Sequence, residues 1–355
     1  MRLKKRVSLT GFGHIRKYSA IFGSILYNIT NMKIPPDFTI TPSHLALLSE
    51  IESIRRYAEK NQVRIPISTS LRRNSLLKSS LYSARIEGNT LSEITMQEEN
   101  TDVETCEIIN IMKTLEYIDT THISTIDHSV IRKFHTMIGD SVFPDKGIYR
   151  KEVSGIFNSE GIVVYMPPPP TQVESLLNAL IGYIQNENSF PLVIAFIAHL
   201  VFEKIHPFLD GNGRVGRALI PAILKCKGYK VTLPVTIEEY LDNHRDEYYD
   251  TLLNGMTDTG RYVEFMLVAY LEQIKKTEER QEELSQKASI LLELTARQEE
   301  IHTIIKEHGS VSLNFIIRRF LKIHERTLRN DLAKLIEKNL VVKVGNTKGV
   351  EYRAK

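Results

Sequence analysis

The apolar positions of this chain recur mostly at helical spacing, which predicts a mainly α fold. PSHLALLSEIESIRRYAEK (42–60) carries that spacing, and so does the stretch 70–87, which Gly88 can stop. VETCEIINIMKTLEYID (103–119) and 125–139 read as further helices. The texture then changes. KGIYRKEVSGIFNSEGIVVYMPPPP (146–170) sets β-branched and aromatic residues around a polar NSEG turn, which predicts a two-stranded hairpin ended by four prolines. TQVESLLNALIGYIQ restarts a helix. Residues 191–205 are apolar almost all round and too long for an ordinary buried strand, so they predict a central helix. Helices are expected at 213–226, 236–254 and 260–275, and EQIKKTEERQEELSQK (272–287) reads as an exposed helical connector.

From about residue 293 the rhythm is that of a separate small domain. A helix meets a Gly-Ser break, a second helix spans 312–321, a third spans 325–338, and two short strands flank GNTKG. This order resembles a winged helix-turn-helix, with 325–338 in the recognition position and GNTKG as the wing. Residues 310–355 hold eleven Lys/Arg against four Asp/Glu, a local balance of +7. Arg326, Arg329 and Lys334 would face DNA, so duplex DNA is an expected partner through 310–355, with protein docking as the alternative.

Composition adds bounds. The chain has 355 residues, 42% of them apolar and 25% charged, as in ordinary globular protein, and a length suited to two or three domains. Net charge is only +3, so nucleic-acid contact needs a local patch. Cys106 and Cys226 stand alone, which suits a reducing cytoplasm and no disulfide framework. The longest apolar run, 191–202, is well short of the ~20 residues a membrane helix needs. The basic start lacks an unbroken apolar segment and a cleavage site, so no signal peptide is expected. Met32 opens MKIPPDFTI, and translation is expected to begin there. The expected division is an extension (1–31), an N-terminal helical region (32–124), a core (125–275), a charged linker (276–292) and the terminal module (293–355).

Candidate chemistry concentrates in HPFLDGNGRVGR, 206–217. GNGRVG matches G-x-G-x-x-G, but a long helix precedes it where a dinucleotide fingerprint needs a strand. What remains is a glycine-rich loop opening a helix, whose N–H groups would cradle an anion. Arg214 and Arg217, three apart on that helix, would grip phosphate oxygens. Asp210 beside an anion site makes sense if it holds Mg²⁺ bridging phosphates. His206 suits a general base acting on a hydroxyl near neutral pH. His199, alone on the apolar helix, reads instead as a satisfied core histidine.

HPFLDGNGRVGR matches, position by position, the Fic motif HPFx[D/E]GNGRxxR, and the resemblance extends over about 125–275, with EEYLDNHRDEYYDTL (238–252) similar to the helix after the motif. The resemblance implies a mainly α, Fic-type helical core with a β-hairpin flap that docks targets. The activity it implies is transfer of AMP from MgATP to a target-protein Ser, Thr or Tyr hydroxyl, or to the chain itself, with release of pyrophosphate. On that resemblance His206 takes the proton and Asp210 binds Mg²⁺. Gly211, Asn212, Gly213 and Arg214 hold phosphates within a nucleotide-binding stretch that includes Val215 and Gly216. Arg217 grips the γ-phosphate, and Asn243 lines the adenine side. The family commonly forms dimers, so a homodimer is expected.

Upstream, SARIEGN (83–89) places Ser83 and Glu87 on one helical face before Gly88. A glutamate at a helix C-terminus is mildly unfavourable by the macrodipole, which suggests another use. The stretch resembles the Fic inhibitory motif [S/T]xxxE[G/N]. That implies a Glu87–Arg217 pair in the γ-phosphate's place, with Glu87 so reaching into the nucleotide site. The sequence leaves three alternatives open: a DNA-binding regulator whose core senses nucleotide, a transferase using another nucleotide donor, and a reverse, de-modifying reaction aided by Glu87.

Overall fold

Helices carry most of the chain. The computed structural model describes residues 32–60, 65–92, 102–157, 163–230, 234–288, 294–345 and 350–355. The 1–31 extension with its proposed alternative start, the NSEG turn and most of the GNTKG wing lie outside them. In chain order the helices of the larger body are α1 (Pro42–Lys60), α2 (Ile65–Ile86), α3 (Val103–Thr120), α4 (His128–Ile138), α5 (Val173–Asn186), α6 (Pro191–Ile205), α7 (Asn212–Cys226), α8 (Ile237–Asn243), α9 (Arg245–Asn254) and α10 (Thr259–Ala288). Between α4 and α5 an antiparallel pair, β1 (Ile156–Phe157) and β2 (Val163–Tyr165), registers Ile156 against Tyr165 and Phe157 against Val163.

The expected central helix is α6. Apart from Glu203, every side chain from Leu192 to Ile205 is buried, because a helix apolar all round must be covered on all sides. Pro191 sits in its first turn, where the missing N–H costs nothing. α5 and α7 pack along α6, α3 and α2 lie beyond, and one continuous core joins α1 through α10.

The 236–254 segment was expected as one helix and forms two. His244 (φ −117°, ψ 41°) leaves helical geometry between α8 and α9. Its ring stacks on Tyr240 at 3.9 Å and its Nδ1 meets the Tyr240 carbonyl at 3.0 Å, which holds the residue in that bend. The converse holds further on: the helix expected at 260–275 and the charged connector form a single helix, α10. Its first half buries Tyr262, Val263, Met266, Leu267 and Tyr270. Its second half is tied down by Lys275 to Glu50 (2.7 Å) and Lys276 to Glu239 (3.3 Å).

The terminal module comprises α11 (Ala296–His308), β3 (Val311–Ser312), α12 (Leu313–Arg319), α13 (Glu325–Glu337), β4 (Val341–Val344) and β5 (Glu351–Ala354). Thr295 and Gln298 form a reciprocal capping box that fixes the start of α11. β3 joins the two expected strands in an antiparallel sheet of order β3-β5-β4. A second core of Ile301, Ile305, Phe315, Phe320, Leu328, Leu332 and Tyr352 holds the module together.

Candidate active site

The site is the turn between α6 and α7 with the end of α2 laid across it. α6 stops where His206 enters the left-handed region (φ 48°). Gly211 (φ 79°) enters it again just before α7, so the 206–211 loop is bounded by two chain reversals. Three side chains pin this loop. Asn212 spends its amide on Phe208, accepting from the backbone N–H at 2.9 Å and donating to the carbonyl at 2.8 Å. His135 accepts the Gly147 N–H on Nδ1 (2.7 Å), so its Nε2–H donates to the Asp210 carbonyl (3.0 Å), and its ring stacks on Phe208 at 3.7 Å. Arg150, 3% exposed, donates from Nε to the His206 carbonyl (2.8 Å) and from its backbone N–H to Pro207 (2.9 Å).

His206 itself is half-buried. Its Nδ1 lies 3.3 Å from the Glu203 carbonyl, which can only accept, so Nδ1 carries the proton and Nε2 is the basic nitrogen. Burial pushes the imidazole down to about 4, so it is neutral at physiological pH and able to take a proton.

Arg217 lies beneath, 2% exposed. It reaches α2 at three points: Nε donates to Ser83 Oγ (2.9 Å), and Nη2 donates to the Ser83 carbonyl (2.8 Å) and to Glu87 Oε1 (3.0 Å). The expected Glu87–Arg217 pair is therefore present, and Ser83 shares the guanidinium. α2 ends as expected at Gly88 (φ 98°). Gly213 has a specific reason to be glycine: a Cβ there would stand 2.1 Å from Glu87 Oε1. Val215 and Gly216 face inward, Val215 into the core and Gly216 against Glu203 and His199.

Arg214 donates to Asp210 Oδ1 (2.7 Å), and Asp210 Oδ1 also accepts the Gly211 N–H (2.7 Å). The second partner of Arg214, Glu107 of α3, was not anticipated. Glu107 also accepts from Asn89 Nδ2 (2.8 Å), two positions beyond Glu87, so it links the SARIEGN segment to the loop. Asn243, expected at the adenine side, is exposed at the end of α8. His199 is fully buried and meets Tyr248 Oη at 2.9 Å through Nε2, while burial drives it down to about 3. Burial likewise raises Glu203 to about 8, so the carboxyl under the motif is mostly protonated at neutral pH.

Glu107, Arg150 and His135 are thus the residues holding the candidate loop that the sequence reading missed. Each acts through a partner 56 to 107 positions away, and only the dense KGIYRKEV stretch around Arg150 drew attention at all.

A single carboxylate beside a backbone cradle suits Mg²⁺, a hard cation that takes one or two protein oxygens and completes its shell with phosphate and water. Among the described residues no group of three or more His, Cys, Asp or Glu is placed to hold a metal ion.

Known proteins resemble this chain over two stretches. Residues 125–224 match the Fic/DOC family, and residues 297–348 match the DeoR-like helix-turn-helix domain. The protein adenylyltransferase Fic of Aedes aegypti is 28% identical over 249 residues, covering 60% of this chain and 47% of that protein. Its counterpart from Culex quinquefasciatus is 31% identical over 188 residues, covering 48% of this chain and 35% of that protein. The chain thus spans half or less of the length of these relatives. A solved Fic family protein from Desulfovibrio desulfuricans G20 is 27% identical, with a TM-score of 0.60, 90% of this chain covered and 98% of that one. Fic-1 from C. elegans shares the fold at 21% identity and a TM-score of 0.53, with 66% of this chain and 72% of that one covered. No helix among the described residues is long and apolar enough to cross a membrane.

The state of His206 is directly measurable. Nitrogen-resolved NMR of the histidines is expected to show His206 as the Nδ1–H tautomer, titrating near pH 4 rather than near its ordinary value of about 6.5. An imidazolium at pH 6 would contradict the geometry.

Proposed function

With a Fic domain at the centre of the chain and a DeoR-like helix-turn-helix at its end, we propose that this protein is a protein adenylyltransferase held off by its own α2. The observation that carries the proposal is the three-point grip of Ser83 and Glu87 on Arg217, next to a neutral imidazole with its basic nitrogen unprotonated.

ATP lies with its phosphates over the Gly211–Gly213 backbone and the start of α7, where orphan N–H groups and the helix dipole favour anions. Asp210 would hold Mg²⁺, which when bound would supply charge neutralisation on the phosphates. Arg217 takes the γ-phosphate and so aligns the α-phosphorus. A target-protein Ser, Thr or Tyr hydroxyl enters along the flap, and Nε2 of His206 removes its proton as the oxygen bonds to phosphorus. The bond to pyrophosphate breaks, and AMP stays on the target. Most of the rate comes from position and charge, and the base adds about 10²–10⁴-fold. While Glu87 holds Arg217, the γ-phosphate has no guanidinium to meet. Glu87 and a γ-phosphate are two anions seeking the same guanidinium, so the carboxylate competes directly with the nucleotide.

The basic face supports a second, compatible role for the module. Arg326, Arg329 and Lys334 are exposed along α13, as a duplex-reading helix requires. A homodimer is part of the same proposal, carried by the family resemblance.

Incubation with α-labelled ATP tests the reading. Glu87→Gly is expected to raise labelling of the chain and its targets at least ten-fold over wild type. His206→Ala in that background should reduce it by about 10²-fold or more, with nucleotide binding retained. Equal labelling by the His206 variant would reject the base; competition by unlabelled nucleotides identifies the donor.

Duplex binding should appear as a mobility shift at low salt that weakens steeply by about 0.2 M and is reduced by Arg326→Ala. No shift at low salt would leave the module as a protein-docking element.

A further inference from the structure

Helix α2 is gripped near its middle and at its C-terminal turn by different bodies. Its C-terminal turn holds Arg217 through Ser83 and Glu87. Ser83 lies ten residues beyond Arg73, about 15 Å along the axis, and Arg73 belongs to an interface with the terminal module. The Arg73 guanidinium lies 4.0 Å over the Phe320 ring, pairs through Nε with Glu300 at 3.2 Å and donates from Nη1 to the Arg319 carbonyl at 3.1 Å. Beside it, Arg319 Nη1 donates to Asn74 Oδ1 at 2.9 Å, and Asn74 Nδ2 reaches Glu307 at 3.4 Å.

These contacts are built rather than incidental. Glu300 is 2% exposed and Phe320 fully buried, and the Glu300 carboxylate takes its ion pair from α2, outside its own module. Burial pushes the Glu300 carboxyl up to about 7, and the charges of Arg73 and of Arg319 oppose that rise, so losing Arg73 weakens the seat of this buried group. The other links between module and core are of a different kind: Lys322 to Glu116 (3.1 Å) is a surface pair with the lysine 62% exposed, and Arg280 to Glu307 lies along α10. Among the described contacts, those that seat buried module residues fall on the inhibitory helix.

We infer that the winged-helix module is the second half of the brake: docked on Arg73 and Asn74, it keeps α2 seated on Arg217, and undocking it releases AMP transfer. This rests on the reading of Glu87 as a brake. The coupling is thermodynamic and reciprocal. Whatever binds the undocked module more tightly favours the open site, and nucleotide that displaces Glu87 favours undocking. A rigid helix with two discrete seats is the kind of element through which two sites can be linked.

The test uses the full chain in five forms: wild type, Arg73→Ala, Asn74→Ala, Glu87→Gly and the Arg73→Ala/Glu87→Gly double variant. Self-labelling from α-labelled ATP and hydrogen exchange over residues 76–87 are read for each. Arg73→Ala is expected to raise labelling about ten-fold and exchange in 76–87 by at least as much, with Asn74→Ala smaller in the same direction. In the Glu87→Gly background Arg73→Ala should add nothing, because both act through one brake. Glu87→Gly labelling strongly while Arg73→Ala and Asn74→Ala leave labelling and exchange at wild type overturns the clamp alone. An equal rise from Arg73→Ala with and without Glu87 also overturns it. Glu87→Gly labelling no better than wild type removes the brake, and this inference with it. Should Arg73→Ala fail to fold, Asn74→Ala, which removes a single hydrogen-bonding amide, decides the matter by the same two readouts.

Discussion

A guanidinium at the centre of the fold, almost without access to water, is the constraint around which the rest of the structure is arranged. Arg217 carries a full charge at 2% exposure. Such a charge is tolerable only where anions and carbonyls surround it. α2 supplies them: one hydroxyl, one carbonyl and one carboxylate oxygen, all within 3.0 Å. The position of α2 follows from this demand. So does the absence of a side chain at Gly213, since the carboxylate needs the space a methyl group would take. The contact that neutralises Arg217 is therefore also the one that seats α2, and a ligand that displaced Glu87 would have to bring equivalent negative charge.

Around that charge the loop 206–211 is held rigid from three directions. Arg150 fixes the carbonyls at its start, Asn212 spans its middle, and His135 holds Asp210 from below. Positions fixed before substrate arrives cost nothing to reorganise during reaction. The tautomer of His206 comes from the same economy. Its Nδ1–H is directed at a backbone carbonyl, which leaves Nε2 as the only basic nitrogen. Burial then keeps the ring neutral. Arg214 is similarly committed, shared between Asp210 and Glu107, so Asp210 and the residues just past Glu87 are one network.

Two cores, one long helix and one shared helix describe how the chain is assembled. α10 leaves the larger core as a charged helix and leads to the module, while α2 receives that module on its N-terminal half. A helix transmits position along its length because its hydrogen bonds are all internal. The fold thus sets the terminal module and the 206–217 turn against one stiff element, ten residues apart along it.

Much of this was readable in the sequence because it is local. Helical periodicity, the β-branched hairpin, the glycines at the α6–α7 turn and the Ser83–Glu87 spacing are all properties of contiguous residues, and the structure places each near where the pattern predicts. The pairing of Glu87 with Arg217 was accessible only through resemblance to a family, since 130 positions separate the two. Glu107, Arg150, His135 and Arg73 carried no comparable signal: each looks like an ordinary surface or helix residue until folding brings its partner. The break at His244 and the continuity of α10 were likewise decided by side-chain stacking and cross-helix ion pairs rather than by propensity. Sequence alone determined which chemistry the chain could hold, because backbone nests and residue types are written in order. Tertiary structure decided whether that chemistry is open or closed, because burial and charge pairing depend on distances that only packing sets.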